Sequence, residues 1–337
     1  MKILLAEHFG MCFGVRDAVA QAERLAAEQP LTILGELVHN PIVRERLRAQ
    51  GILEAPLAEI RSTSERVMIT AHGASDAKRA DWHAAGFKVA DGTCPLVRYA
   101  HEQLRRLVVS GFFPIVIGQP GHVEVEGLIG DFPEAIVLSS PVDVSLLPAR
   151  DKFGVISQTT QPIDFVRKIV EAIRRIHPKA EARFVDTVCK PTKDRQAALR
   201  TLLEVADTIV VVGGRTSNNT RQLVETCRAA GKTVFHIERP GELQIDWFVN
   251  ASVVGLTLEL PRYRKPSRPL TGDCRKFHLR SSNHPKTKHE LIRMAPLLSK
   301  QSSQLDRPAM AFALSTRSEN KTRSRAFVVA LPVGRKW

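Results

Sequence analysis

Thr208-Ile209-Val210-Val211-Val212-Gly213-Gly214-Arg215-Thr216-Ser217-Asn218-Asn219-Thr220 is a β-branched apolar run, then a glycine-bearing loop, then the start of an amphipathic stretch. An apolar run without polar alternation suits a strand buried on both faces, and the three- and four-residue spacing after it suits a crossover helix. The same alternation occurs upstream. Strand-like runs fall at Leu31–Leu34, Arg66–Thr70 and Phe113–Gly118, and helical periodicity spans Asp17–Ala27, Val97–Ser110, Pro162–Ile176, Asp194–Ala206 and Asn219–Ala230. This pattern predicts an α/β protein with parallel sheets.

A slower rhythm overlies it. Cys12, Cys94 and Cys189 are separated by 82 and 95 residues, each near the start of a new βα stretch. Three similar α/β units with one cysteine apiece are expected, over residues 1–92, 93–186 and 187–257. After Thr257 the alternation stops, and residues 258–337 turn to Arg, Lys, Ser, Pro and His, with periodicity only in His289–Leu298 and an apolar run at Ala326–Leu331. No fold is predicted for that tail.

Of the net charge of +14, the tail carries +13, from 18 Lys and Arg against 5 Asp and Glu, which leaves +1 for residues 1–257. A basic character confined to the tail argues against a nucleic-acid-binding body. Five cysteines scattered over 337 residues are too few for a disulfide framework, so free thiols or metal ligands are expected. The first residues reach Glu7 and His8 too early for a signal-peptide core, and no apolar run is long enough to span a membrane. The expectation is a soluble cytoplasmic protein.

Gly10-Met11-Cys12-Phe13-Gly14-Val15, Asp91-Gly92-Thr93-Cys94-Pro95 and Asp186-Thr187-Val188-Cys189 each place a thiol in a turn before a helix, where the helix N-terminus favours thiolate. Isolated cysteines also serve as small buried hydrophobes. If all three bind one four-iron cube, one iron is left without a protein ligand and open to a substrate oxygen. Cys227 lies mid-helix and reads as packing, and Cys274 belongs to the tail.

His39, His72 and His122 each sit where a strand should end. Together with Ser217 and Asn219 they offer donors for an anion such as diphosphate. The loop Gly213–Thr220 leads into a helix, so its backbone amides could also face a phosphate. Glu124, in Gly121-His122-Val123-Glu124-Val125-Glu126-Gly127, is either a proton relay or a solvated acid at a helix start. Thr159, in Ser157-Gln158-Thr159-Thr160-Gln161, is either a hydroxyl in that relay or a cap before Pro162.

Taken in order, the Cys12 motif, Glu36-Leu37-Val38-His39-Asn40, Thr70-Ala71-His72-Gly73, Asp91-Gly92-Thr93-Cys94-Pro95, the Glu124 motif, Gln158-Thr159-Thr160, Cys189 and Ser217-Asn218-Asn219 closely resemble the 4-hydroxy-3-methylbut-2-enyl diphosphate reductases, the LytB-type iron–sulfur reductases. The resemblance covers residues 1–257. It implies three α/β units with parallel sheets around a central 4Fe-4S cluster held by Cys12, Cys94 and Cys189. It further implies a diphosphate held by His39, His72, His122, Ser217, Asn218 and Asn219, with Glu124 supplying protons helped by Thr159 and His122. The implied reaction is reductive dehydroxylation to isopentenyl diphosphate and dimethylallyl diphosphate, the last step of the non-mevalonate isoprenoid pathway. Electrons would come from a ferredoxin or flavodoxin.

Phe13 and Val123 depart mildly from the family pattern, where a smaller residue and proline are usual. The serious departure follows Thr257. There the family continues with a segment resembling Ala-Gly-Ala-Ser-Thr-Pro, whose serine completes the diphosphate site, whereas this chain reads Leu258-Glu259-Leu260-Pro261-Arg262. The string CTG GAG CTT CCA CGG TAC CGG AAG CCC encodes Leu258 to Pro266, and in another frame it reads Gly-Ala-Ser-Thr-Val-Pro-Glu-Ala. A frameshift is therefore hypothesised, and resequencing that finds no coherent family reading in the other frame defeats it. As written, the tail leaves two alternatives: an inactive cluster-binding homologue that senses redox state or binds diphosphates, and a basic nucleic-acid or anionic-membrane module. The tail carries no recognition motif, and off-frame translation of a GC-rich gene yields Arg and Pro in any case.

Overall fold

The computed structural model describes residues 1–259. The first stretch forms β1 (Lys2–Leu5), α1 (Phe13–Glu28), β2 (Leu31–Leu34), α2 (Pro41–Ala49), β3 (Leu53–Ala55), β4 (Arg66–Ile69), α3 (Asp76–Ala84) and β5 (Lys88–Asp91). The second forms α4 (Pro95–Val109), β6 (Phe113–Ile117), α5 (Val123–Ile129), β7 (Ile136–Leu138), β8 (Lys152–Ser157), α6 (Ile163–Ile176) and β9 (Glu181–Phe184). The third forms α7 (Lys190–Val205), β10 (Thr208–Val212), α8 (Asn218–Ala229), β11 (Thr233–Ile237) and β12 (Val253–Leu258). Cys274, the 289–298 and 326–331 segments and the tail beyond Glu259 lie outside the described residues.

The strands build three four-stranded sheets, every pairing parallel, in the orders β3-β2-β4-β5, β7-β6-β8-β9 and β11-β10-β12-β1. All three orders follow one plan: the unit's first strand lies inside, its second on one edge, its third beside the first and its fourth on the other edge. The third unit takes its fourth strand from the start of the chain, with Lys2 opposite Val253 and Leu5 opposite Leu256. Consecutive division of the sequence puts β1 in the first unit; the register puts it in the last. Four residues with only partial burial, Lys2–Leu5, carry too weak a periodicity to show this alone.

Side chains alternate across each sheet, so neighbouring residues feed different cores. In the third unit Ile209 and Val211 pack with α7 and α8 residues such as Leu199 and Leu223, while Val210 and Val212 pack with Phe248 and Leu256 on the other face. The second unit repeats this with Ile115 and Ile117 against α6 on one face and Val116 against Leu104 and Leu128 on the other. Covering both faces is what makes these strands continuously apolar. Helix α6 shows the matching period: Ile163, Val166, Ile169, Val170 and Ile173 are buried.

Helices α1, α4 and α7 begin directly after Cys12, Cys94 and Cys189, each cysteine being the N-cap. Helix α7 thus starts four residues before the predicted Asp194, because Pro191 in a first turn loses no hydrogen bond and presets φ. Cys227 is fully buried among Leu223, Val224 and Ile209, as expected of a packing residue. Strand β12 runs one residue past Thr257, Leu258 closing it opposite Val212.

Candidate functional site

The common plan of the sheets decides what their carboxyl ends present. Each cysteine follows the fourth strand of one sheet: Cys12 after β1, Cys94 after β5 and Cys189 after β9. His39, His122 and Ser217 each stand five residues past the end of a unit's first strand, at Leu34, Ile117 and Val212. The loops after the third strands supply His72, Thr159 and Glu259. All of these residues, with Asn218 and Asn219, line one cavity.

The backbone N–H of Cys94 donates to Ala71 O at 3.0 Å and that of Cys189 to Thr159 O at 2.9 Å, so the loops after β4 and β8 hold these two cysteines in place. Gly14 lies against Cys94, where a Cβ would stand 2.4 Å from its Sγ. All three thiols are free. Burial raises the Cys94 pKa and lifts that of Cys189 to about 11, against hydrogen bonds from the α4 and α7 N-termini and Thr192. The expected thiolate-favouring effect of the helix ends is present, but desolvation outweighs it. Cys12 and Glu124 both lie near enough to disfavour ionisation of the other two thiols.

The rings of His39 and His72 have centroids 4.8 Å apart, those of His39 and His122 5.9 Å, and those of His72 and His122 5.6 Å. Burial, reinforced by the neighbouring imidazoles, drives the His72 pKa well below its ordinary value; burial, His39 and Arg221 drive His122 to about 4. These two imidazoles are neutral near pH 7. The ring nitrogens of the three lie within 4.8 Å of one another, which suffices geometrically for a shared metal ion. The tautomer opposes that at His122: Nδ1 accepts the Glu124 N–H at 3.1 Å, which leaves the proton on Nε2 as a donor. Glu36 binds His39 Nδ1 at 2.9 Å and fixes that ring in turn.

Glu124 is not solvated. It is 2% exposed, and burial raises its pKa to about 7 although the Thr159 N–H donates to its Oε1 at 2.6 Å and the Thr159 side chain also bonds it. A carboxyl poised there can give or take a proton near neutrality. Thr159 is therefore a partner of Glu124; the N-cap of α6 is Pro162.

The third unit closes the cavity. Ser217 is the N-cap of α8, its Oγ accepting the Thr220 N–H, and Asn218 Nδ2 donates to Thr160 Oγ1 at 2.8 Å across to the second unit. Gly214 touches the first unit so closely that a Cβ would lie 1.4 Å from His39 O. Only glycine permits that approach.

Several residues in the site carry little sequence signal. Arg195, 7% exposed, donates to Gly10 O and pins the Cys12 loop, Thr192 lies 3.1 Å from Cys189 Sγ, and Glu259 accepts from Ser217 and Asn219. Arg195 and Thr192 sit one to two turns beyond Cys189 on the same helix, so helical spacing from that cysteine could have found them. Glu259 follows a strand end, as do the other site residues.

The fold and its cavity define a three-sheet α/β protein whose strand ends bring free thiols, neutral imidazoles and a buried carboxyl together. The chain belongs to the LytB protein family, whose model matches residues 3–258. It is 35% identical over 262 residues to the 4-hydroxy-3-methylbut-2-enyl diphosphate reductase of Burkholderia pseudomallei, covering 76% of this chain and 84% of that one. To the enzyme of that name from Aquifex aeolicus it is 32% identical over 263 residues, covering 76% and 90%. The solved structure of the E-1-hydroxy-2-methyl-but-2-enyl-4-diphosphate reductase of Plasmodium falciparum shares the fold at a TM-score of 0.73 and 23% identity, covering 88% of this chain and 98% of that one. A second, described as (E)-4-hydroxy-3-methyl-but-2-enyl diphosphate reductase, the terminal enzyme of the non-mevalonate pathway, matches at a TM-score of 0.56 and 31% identity, covering 78% and 95%. Among the described residues no helix is long and apolar enough to cross a membrane.

Proposed function

We propose that this chain is a cytoplasmic 4-hydroxy-3-methylbut-2-enyl diphosphate reductase, forming isopentenyl and dimethylallyl diphosphate. The observation that carries the proposal is the convergence of Cys12, Cys94 and Cys189 with Glu124 and the three histidines on one cavity. Three free thiols on three helix N-caps, with Gly14 leaving room beside Cys94, fit a 4Fe-4S cluster with three protein ligands. When bound, that cluster supplies the electrons, passed on from a ferredoxin or flavodoxin.

The net change takes up two electrons and two protons, breaks the C–O bond to the hydroxyl and releases water. His72 and His122 donate N–H bonds to the diphosphate without adding full charge, His39 stands beside them with its Nδ1 on Glu36, and Ser217, Asn218 and Asn219 hold its other side. Glu124, neutral for part of the population near pH 7, delivers a proton toward the leaving hydroxyl; Thr159 holds the carboxyl, and His122 Nδ1 holds the Glu124 backbone N–H at the start of α5. The closing contacts Gly214–His39 and Asn218–Thr160 exclude water from the reactive intermediate.

The test is anaerobic turnover of 4-hydroxy-3-methylbut-2-enyl diphosphate with a reduced viologen by the iron- and sulfide-loaded protein. Isoprenoid diphosphate release supports the reading. A fully loaded protein without turnover contradicts it and favours a second reading, an inactive cluster-bearing homologue. That alternative has its own structural support, because Glu259 stands among the donors assigned to the diphosphate.

A further inference from the structure

We propose that Glu259 is a built-in competitor at the anion end of this cavity, its carboxylate standing where a phosphate must bind. Its Oε2 accepts from Ser217 Oγ at 2.7 Å and from Thr220 Oγ1, and its Oε1 accepts from Asn219 Nδ2 at 3.2 Å. These are neutral hydroxyl and amide donors gathered on the first turn of α8, where unpaired N–H groups and the helix dipole favour negative charge. The carboxylate thus reproduces the contacts of a bound oxyanion.

The placement is anchored. The Glu259 N–H donates to Val212 O at 2.7 Å, continuing the β12–β10 ladder by one bond and presenting the side chain to the α8 N-terminus. Gly213 leaves the room: a Cβ there would meet Thr220 Oγ1 at 2.4 Å and Glu259 Cβ at 3.2 Å. The inference rests on the assignment of Ser217, Asn218 and Asn219 to a diphosphate under the proposed function. Two anions cannot share those donors, so a phosphate group enters only when the Glu259 side chain swings out. Glu259 therefore sets the affinity of the site for polyphosphate anions.

The experiment is calorimetric titration of the full chain with inorganic pyrophosphate at fixed ionic strength, comparing wild type with Glu259→Gln, Glu259→Ala and Ser217→Ala, each checked for wild-type melting. Glu259→Gln, which keeps the shape and removes the charge, is expected to bind at least tenfold more tightly, with Glu259→Ala alike and Ser217→Ala weaker than wild type. Should Glu259→Ala melt early, Glu259→Gln carries the comparison. Equal affinity for wild type and both Glu259 variants, with Ser217→Ala still weakened, overturns the competitor while leaving the site assignment standing. Absence of pyrophosphate binding in every protein overturns both.

Discussion

Thr159, in the turn after β8, meets Glu124 on the first turn of α5, the Thr159 N–H donating to Glu124 Oε1 at 2.6 Å while burial holds the Glu124 pKa at about 7. The bond favours the carboxylate and burial favours the acid, and burial wins. The proton-donating form is therefore the one that dominates below pH 7. Turnover is expected to fall as pH rises through about 7. Glu124→Gln, which cannot release a proton, is expected to lose at least a hundredfold in kcat, and a pH–rate profile of wild type checks the limb.

The same shift has a stability consequence. Because the folded pKa is raised from 4.5 to about 7, the stability Glu124 contributes is present below about pH 4.5 and is lost as pH rises through about 7. In the cluster-free protein, Glu124→Gln is expected to be more stable than wild type at pH 8, by on the order of 3 kcal/mol, and no more stable at pH 4. Urea melts at the two pH values check this.

His72 and His122 are expected to bind anions as neutral donors. His122→Phe is expected to weaken pyrophosphate binding roughly tenfold to a hundredfold, the range for hydrogen bonds to a charged group. With His122 at about 4 and His72 well below its ordinary value, the ratio of variant to wild-type affinity is expected to stay constant from pH 6 to 8, as titration calorimetry can show. A ratio that falls steeply toward pH 6 would mean that protonated imidazolium carries the binding.

Gly214→Ala would place a methyl 1.4 Å from His39 O, so the third unit must back away from the first. A loss of roughly 1–3 kcal/mol in folding stability is expected, together with weaker pyrophosphate binding. Thermal melts and calorimetry on the variant report the two effects separately. A variant with unchanged melting and binding would show that this approach is not needed.

Much of this architecture was legible in the chain. Runs such as Thr208–Val212 and the periodicity of Ile163–Ile173 are strong because those segments are buried on both faces or along a full stripe. The short, half-exposed strands β1 and β3 carry no such pattern. The return of β1 to the last sheet is also a long-range pairing, invisible to local spacing. Among site residues, the cysteines and histidines stood out because their side chains can bind metals and anions and are few in the chain, whereas Glu124 and Thr159 stayed ambiguous until burial was known. Arg195 and Glu259 were hidden for the same reason: charged residues are common, and only their enclosure makes them informative.

The central claim is that Cys12, Cys94 and Cys189 jointly hold a cluster, and anaerobic reconstitution with iron and sulfide tests it most directly. Iron and acid-labile sulfide would be counted per folded chain in wild type, in the serine variant of each of these cysteines and in Cys227→Ser. The account expects about four irons in wild type and in Cys227→Ser, with cluster absorbance lost or strongly reduced in Cys12→Ser, Cys94→Ser and Cys189→Ser. Retention of a full cluster by any of those three variants, or its loss in Cys227→Ser with folding intact, would contradict the account.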